Sequence, residues 1–68
     1  MKSVAKTGTP MEILDAALRR EKAAYEFYAE VRDHARIAII RDLAEELCEE
    51  EQRHIRRVEK MILHFREG

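Results

Sequence analysis

Leu14, Ala17, Leu18, Ala24, Tyr25, Tyr28, Val31 and Ala35 recur at three- and four-residue spacing, the pattern of one helix face turned toward a core. A second series of Ile40, Leu43, Leu47, Val58, Met61, Ile62 and Phe65 follows the same rule. The spacing predicts one helix over about 10–34 and a second over about 39–65. Ile37, Ala44, Cys48, Ile55 and Ile62 add a further apolar edge to the second helix. An apolar surface that wide suits contact with more than one neighbouring helix.

The start of the first helix is sharply marked. Thr9-Pro10-Met11-Glu12 joins an N-cap threonine, a proline at the first helical position and a glutamate three residues after the cap, which is a capping box. Residues 1–8 before it are polar and aperiodic and read as a flexible tail, so the folded unit is 9–68. The break between the two series is weakly written. Arg32-Asp33-His34-Ala35-Arg36-Ile37-Ala38 contains no Gly, Pro or Asn, and one continuous helix is the alternative. Such a helix of about 55 residues would extend roughly 80 Å and bury its apolar stripe only in a coiled coil. The apolar positions drift from a strict heptad, so an antiparallel two-helix hairpin is the expected all-α fold.

Length turns this fold into a question of partners. A chain of 68 residues seldom builds a sufficient core without disulfides, a metal or association. Cys48 is the only cysteine, which excludes an intrachain disulfide and a thiolate-rich metal framework. Metal held by His and carboxylate, or oligomerisation, remains. Thirteen basic and 14 acidic side chains nearly cancel to a net charge of −1, which does not suit a nucleic-acid binder. No stretch approaches the ~20 apolar residues of a membrane span, nor does the N-terminus carry a signal-peptide core, so a cytoplasmic protein with no membrane partner is expected.

Three polar residues interrupt the apolar stripes, and they are of the metal-binding kinds. Glu51 and His54 stand three apart between Leu47 and Val58, so both project from one helix face and can reach one ion. Glu21 sits likewise between Leu18 and Ala24. An isolated ionised carboxylate in an apolar setting costs many kcal/mol unless a cation or a proton compensates. A turn centred on Arg36 places Glu21 15 residues before it and Glu51 15 after it, level with each other. Carboxylate-bridged di-iron bundles use one Glu from each of two helices and a Glu-x-x-His from each of the other two. One hairpin supplies half of that set, and a two-fold homodimer supplies all of it. Mixed carboxylate and imidazole ligation suits iron, two ions per dimer, with manganese or zinc as substitutes.

Glu21-Lys22-Ala23-Ala24-Tyr25-Glu26-Phe27-Tyr28 resembles the E-x-x-A-x-x-F-Y stretch of rubrerythrin-type proteins in the ferritin-like superfamily. The stretch from Leu43 through Glu51 to His54 is similar to that family's L-F-x-x-L-A-x-E-E-x-x-H. The resemblance implies a ferritin-like four-helix bundle, made here by two hairpins. It also implies that Glu21 and His54 are terminal ligands and that Glu51 bridges. A two-helix member looks like the encapsulated ferritins, which implies a ferroxidase serving iron storage or detoxification. The implied assembly is a homodimer or a ring of dimers, with an encapsulin shell as partner and compartment. Two features depart from the family: the Cys-x-x-Cys module of rubrerythrin peroxide reductases is absent, and no apolar targeting tail follows Phe65. Peroxide reduction is the alternative activity.

Tyr25, Tyr28 and Glu50 are candidates to support the ligands from one shell out, weighed against core packing for the phenols and a solvated face for Glu50. His34 and His64 fall near helix ends and are not assigned to metal, while Cys48 is expected to pack between helices. Arg19, Arg20, Arg53, Arg56 and Arg57 are expected to pair with neighbouring glutamates. The rival to the whole reading is a non-catalytic hairpin that dimerises through its apolar stripe.

Overall fold

The computed structural model describes residues 8–67. Two helices, α1 (Pro10–His34) and α2 (Ala38–Glu67), pack against each other as an antiparallel hairpin. The tail expected over 1–8 lies, apart from Gly8, outside the described residues. At the start of α1 the Thr9 hydroxyl accepts from the Glu12 amide at 3.2 Å, and the Thr9 amide donates to Glu12 Oε1 at 2.8 Å. The capping box therefore satisfies two backbone and side-chain demands reciprocally.

The chain breaks after His34 rather than continuing. Ala35 turns extended, with φ −68° and ψ 132°, and its amide donates back to the Val31 carbonyl at 2.8 Å. The Ile37 carbonyl then accepts from the amides of Ile40 and Arg41, starting α2. No described residue adopts positive φ, so this turn requires neither Gly nor Asn. Side chains stitch it from outside: the Arg41 guanidinium donates to the Ala35 carbonyl at 3.4 Å, and Arg32 reaches Glu45 across the hairpin at 3.8 Å.

Among the described residues only Ala44 and Cys48 are buried, and their small side chains lie where α2 meets α1. Burial pushes the Cys48 thiol up from its ordinary pKa, with the neighbouring Arg32 charge opposing the shift. Phe27, Ile40, Leu43, Met61 and Phe65 remain exposed to solvent. The radius of gyration is 14.7 Å, whereas a compact domain of this length has about 11 Å. The hairpin is thus elongated, with large apolar side chains left exposed.

Candidate metal centre

Glu21 on α1 and Glu51 and His54 on α2 are brought together midway along the hairpin. Helical periodicity aims the Glu51 and His54 side chains from adjacent turns of one face. The antiparallel return of the chain brings Glu21 to the same height. His54 Nδ1 lies 3.0 Å from Glu21 Oε2 and 3.0 Å from Glu51 Oε1. One donor atom from each of the three residues falls within 4.8 Å of the others.

These separations suit an ion. Octahedral coordination with bonds of about 2.1 Å sets adjacent donor atoms about 3 Å apart, which is the spacing between the imidazole nitrogen and each carboxylate. The donor set is two hard oxygens and one borderline nitrogen with no thiolate, which fits iron or manganese. Without an ion the same atoms form hydrogen bonds, since a neutral imidazole protonated at Nδ1 can donate to either oxygen.

Burial is graded across the group. The Glu51 side chain retains 13% of its exposure, Glu21 28% and His54 38%. Glu51 therefore sits deepest in the hairpin, and His54 marks the side that remains open. Leu47, two turns before His54, and Val58, one turn after it, are half-buried, while Leu43 and Met61 beyond them are exposed. Along α2 the group is therefore bracketed by apolar residues.

Among the described residues no further His, Cys, Asp or Glu joins this group. Tyr25 and Tyr28 are half-buried, and neither phenol hydrogen-bonds a ligand carboxylate. The Tyr28 ring instead meets Phe27 edge to face at 5.5 Å. Glu50 is exposed on the outer side of α2. His34 Nδ1 donates to the Glu30 carbonyl at 2.9 Å at the end of α1, far along the chain from the ligand group.

The profile of the rubrerythrin family matches residues 12–68, a span that begins inside the first turn of α1 and contains all three ligand candidates. The chain belongs to the rubrerythrin family. Members of this family usually bind iron, and the Glu21, Glu51 and His54 group is a place where an ion can be held. Neither a search of curated proteins nor one of solved structures finds a significant match. No described helix is long and apolar enough to cross a membrane.

Proposed function

We propose that this rubrerythrin-family chain is a di-iron carboxylate protein that oxidises Fe(II), with each site shared between two copies. The observation that carries this reading is the approach of His54 Nδ1 to carboxylates from both helices at 3.0 Å. Glu21, Glu51 and His54 of one chain provide two negative charges and one neutral nitrogen. A two-fold mate doubles that set to the four carboxylates and two imidazoles of a complete di-iron bundle site. Four carboxylate charges balance two divalent ions, which lowers the cost of burying either alone.

Two Fe(II) ions held there would supply the two electrons that, with two protons from solvent, reduce dioxygen to hydrogen peroxide or hydrogen peroxide to water. The chain's own contribution is positional. Glu21, Glu51 and His54 would hold the ions, Glu51 from the deepest position and His54 from the most open one. The open side at His54 faces the apolar surface of Leu43, Leu47, Val58 and Met61, which a second hairpin would cover. Covering it removes water from the carboxylates and strengthens their hold on a cation. The two-helix organisation, similar to that of encapsulated ferritins, supports a homodimer or a ring of dimers serving iron storage or detoxification, with an encapsulin shell as host compartment.

The close Glu and His triad also supports one rival, a hairpin in which His54 satisfies both carboxylates and no metal is used. Anaerobic Fe(II) titration of metal-stripped protein separates the two. The di-iron reading expects about one iron bound per chain, a rise in melting temperature, and oxygen-dependent oxidation that Glu51→Ala with His54→Ala abolishes. Absence of both binding and thermal shift leaves the rival.

A further inference from the structure

Arg53, Arg56, Arg57 and Lys60 are exposed on α2 and together line one shallow surface depression. At about 100° per residue they lie roughly 120–180° around the helix from buried Ala44, so the depression is on the side turned away from α1. Within α2, Glu49 and Glu50 stand four and three residues before Arg53, and Glu59 stands three after Arg56, yet none of them pairs with these cations. Among the described residues, ion pairs join only Arg32 to Asp33 and Glu45, and His54 to Glu21 and Glu51. The expected pairing of Arg19, Arg20, Arg53, Arg56 and Arg57 with neighbouring glutamates is therefore not formed, since exposed side chains gain little from it. The four cations of the depression meanwhile repel one another, being neighbours at three- and four-residue spacing along one helix.

We propose that this depression binds a short chain of phosphates, a diphosphate or triphosphate, free or carried by a nucleotide. Three of the four cations are guanidiniums, which keep their charge at any physiological pH and present forked donors matched to phosphate oxygens. Their arrangement sets the size of the ligand. Arg53 and Lys60 are seven residues apart, about 10 Å along the helix axis. Exposed carboxylates then close the cluster off: Glu49 and Glu50 lie about one turn before it, Glu46 two turns before it, and Glu59 at its flank. A long polyanion such as a nucleic-acid strand running along α2 would meet those carboxylates, whereas a few linked phosphates stay among the cations. The net charge of −1 gives the chain no general attraction for anions, so binding would have to come from this cluster. The site stands apart from the metal reading, since none of its four residues is a ligand candidate.

Isothermal titration calorimetry of tripolyphosphate into the full-length protein, as purified, tests this at about 50 mM and about 300 mM salt. The wild type should take up about one tripolyphosphate per chain, with an affinity that falls as salt rises. Arg53→Gln with Arg57→Gln should weaken binding about tenfold or more. Arg19→Gln with Arg20→Gln, which removes the same charge from α1, should leave it unchanged. The first variant keeps Glu21, Glu51 and His54, so any heat from a metal drawn off by the anion is common to it and the wild type and cancels in the comparison. Circular dichroism checks that each variant is folded, and Lys60→Gln, a single change at the other end of the cluster, should give a smaller loss in the same direction. ATP binding no more tightly than tripolyphosphate means that the phosphates alone are read, and tighter binding of ATP names a nucleotide as their source. Absence of saturable binding in the wild type, an equal effect of the two arginine pairs, or tighter binding of a short single-stranded oligonucleotide than of tripolyphosphate overturns the proposal.

Discussion

His54 Nδ1 on α2 and Glu21 Oε2 on α1 stand 3.0 Å apart across the hairpin, the one polar link between the helices away from the turn among the described residues. The link joins the two ligand candidates that the resemblance assigns to outer positions. Its worth to the metal-free hairpin is modest because the His54 side chain is more than a third exposed.

Replacing His54 by Ala should therefore leave the metal-free melting temperature within a few degrees, the effect of a change of under about 1 kcal/mol. The metal response is a different matter. Saturation at a hundredfold excess over Kd stabilises by about 2.7 kcal/mol, a rise on the order of 10 °C for a small domain. Thermal melts with and without Fe(II) or Zn(II) should show that rise in the wild type and not in H54A. An equal rise in both would remove His54 from the site.

Leu43 and Met61 bracket the open side of the ligand group and are half exposed. If a second copy covers them, Met61→Glu should place a charge in the contact and disperse it while leaving the hairpin helical. Metal affinity should fall with the loss of pairing, because each chain then offers half a ligand set. Unchanged sedimentation and unchanged affinity in M61E would separate the site from this surface.

Ile37 begins α2 with its carbonyl but has no side-chain oxygen to cap the helix, and α2 has no acidic residue in its first turn. Its side chain is 63% exposed, so little apolar burial is at stake. Ile37→Asp should stabilise the hairpin by about 1 kcal/mol, through a side-chain cap and a charge favourable to the helix N-terminus. Chemical denaturation should show a higher midpoint with an unchanged slope.

The capping box carries a pH signature. The Thr9 backbone amide, and then its hydroxyl, hold the Glu12 carboxyl below its ordinary value of 4.5. A pKa lowered on folding stabilises the folded chain above the unfolded-state value, and that stabilisation is lost as pH falls through the folded-state value. Wild type and Glu12→Gln should therefore differ in melting temperature at neutral pH and converge as the pH drops below about 4. A gap that persists in acid would mean that the carboxylate charge is not what holds the cap.

Cys48 is fully enclosed and its thiol is shifted up by that burial. A neutral, covered thiol is a poor nucleophile. An aromatic disulfide reagent at neutral pH should react with the folded protein slowly and with the denatured protein at the rate of a free thiol. Fast reaction of the folded form would show that the hairpin opens readily at its most buried point.

Much of this arrangement was legible in the chain. The capping box at Thr9 and Glu12 appears with both hydrogen bonds, because cap chemistry depends on residues three apart and on nothing distant. The hairpin followed from two apolar stripes that only each other or another chain can cover. The turn was faint because Ala35 and Ile37 make it with ordinary φ values, so no glycine or asparagine was required to announce it. What breaks the helix there is the packing of α2 on α1. Arg19, Arg20, Arg53, Arg56 and Arg57 were expected to pair with neighbouring glutamates, but none of them forms an ion pair among the described residues, although Glu49 and Glu50 stand four and three residues before Arg53 and Glu59 three after Arg56. Exposed side chains gain little from such pairs.

The sequence by itself determined which residues sit on the inward stripes, since helical periodicity is a local property, and so it singled out Glu21, Glu51 and His54 as polar residues in apolar places. Only the tertiary structure decided that these three meet. Contact between α1 and α2 depends on where the chain reverses and at what register the helices lock, and both are set by packing over the whole hairpin around Ala44 and Cys48. Once that register is fixed, the imidazole nitrogen falls within reach of carboxylates from both helices, an alignment that neither helix contains alone.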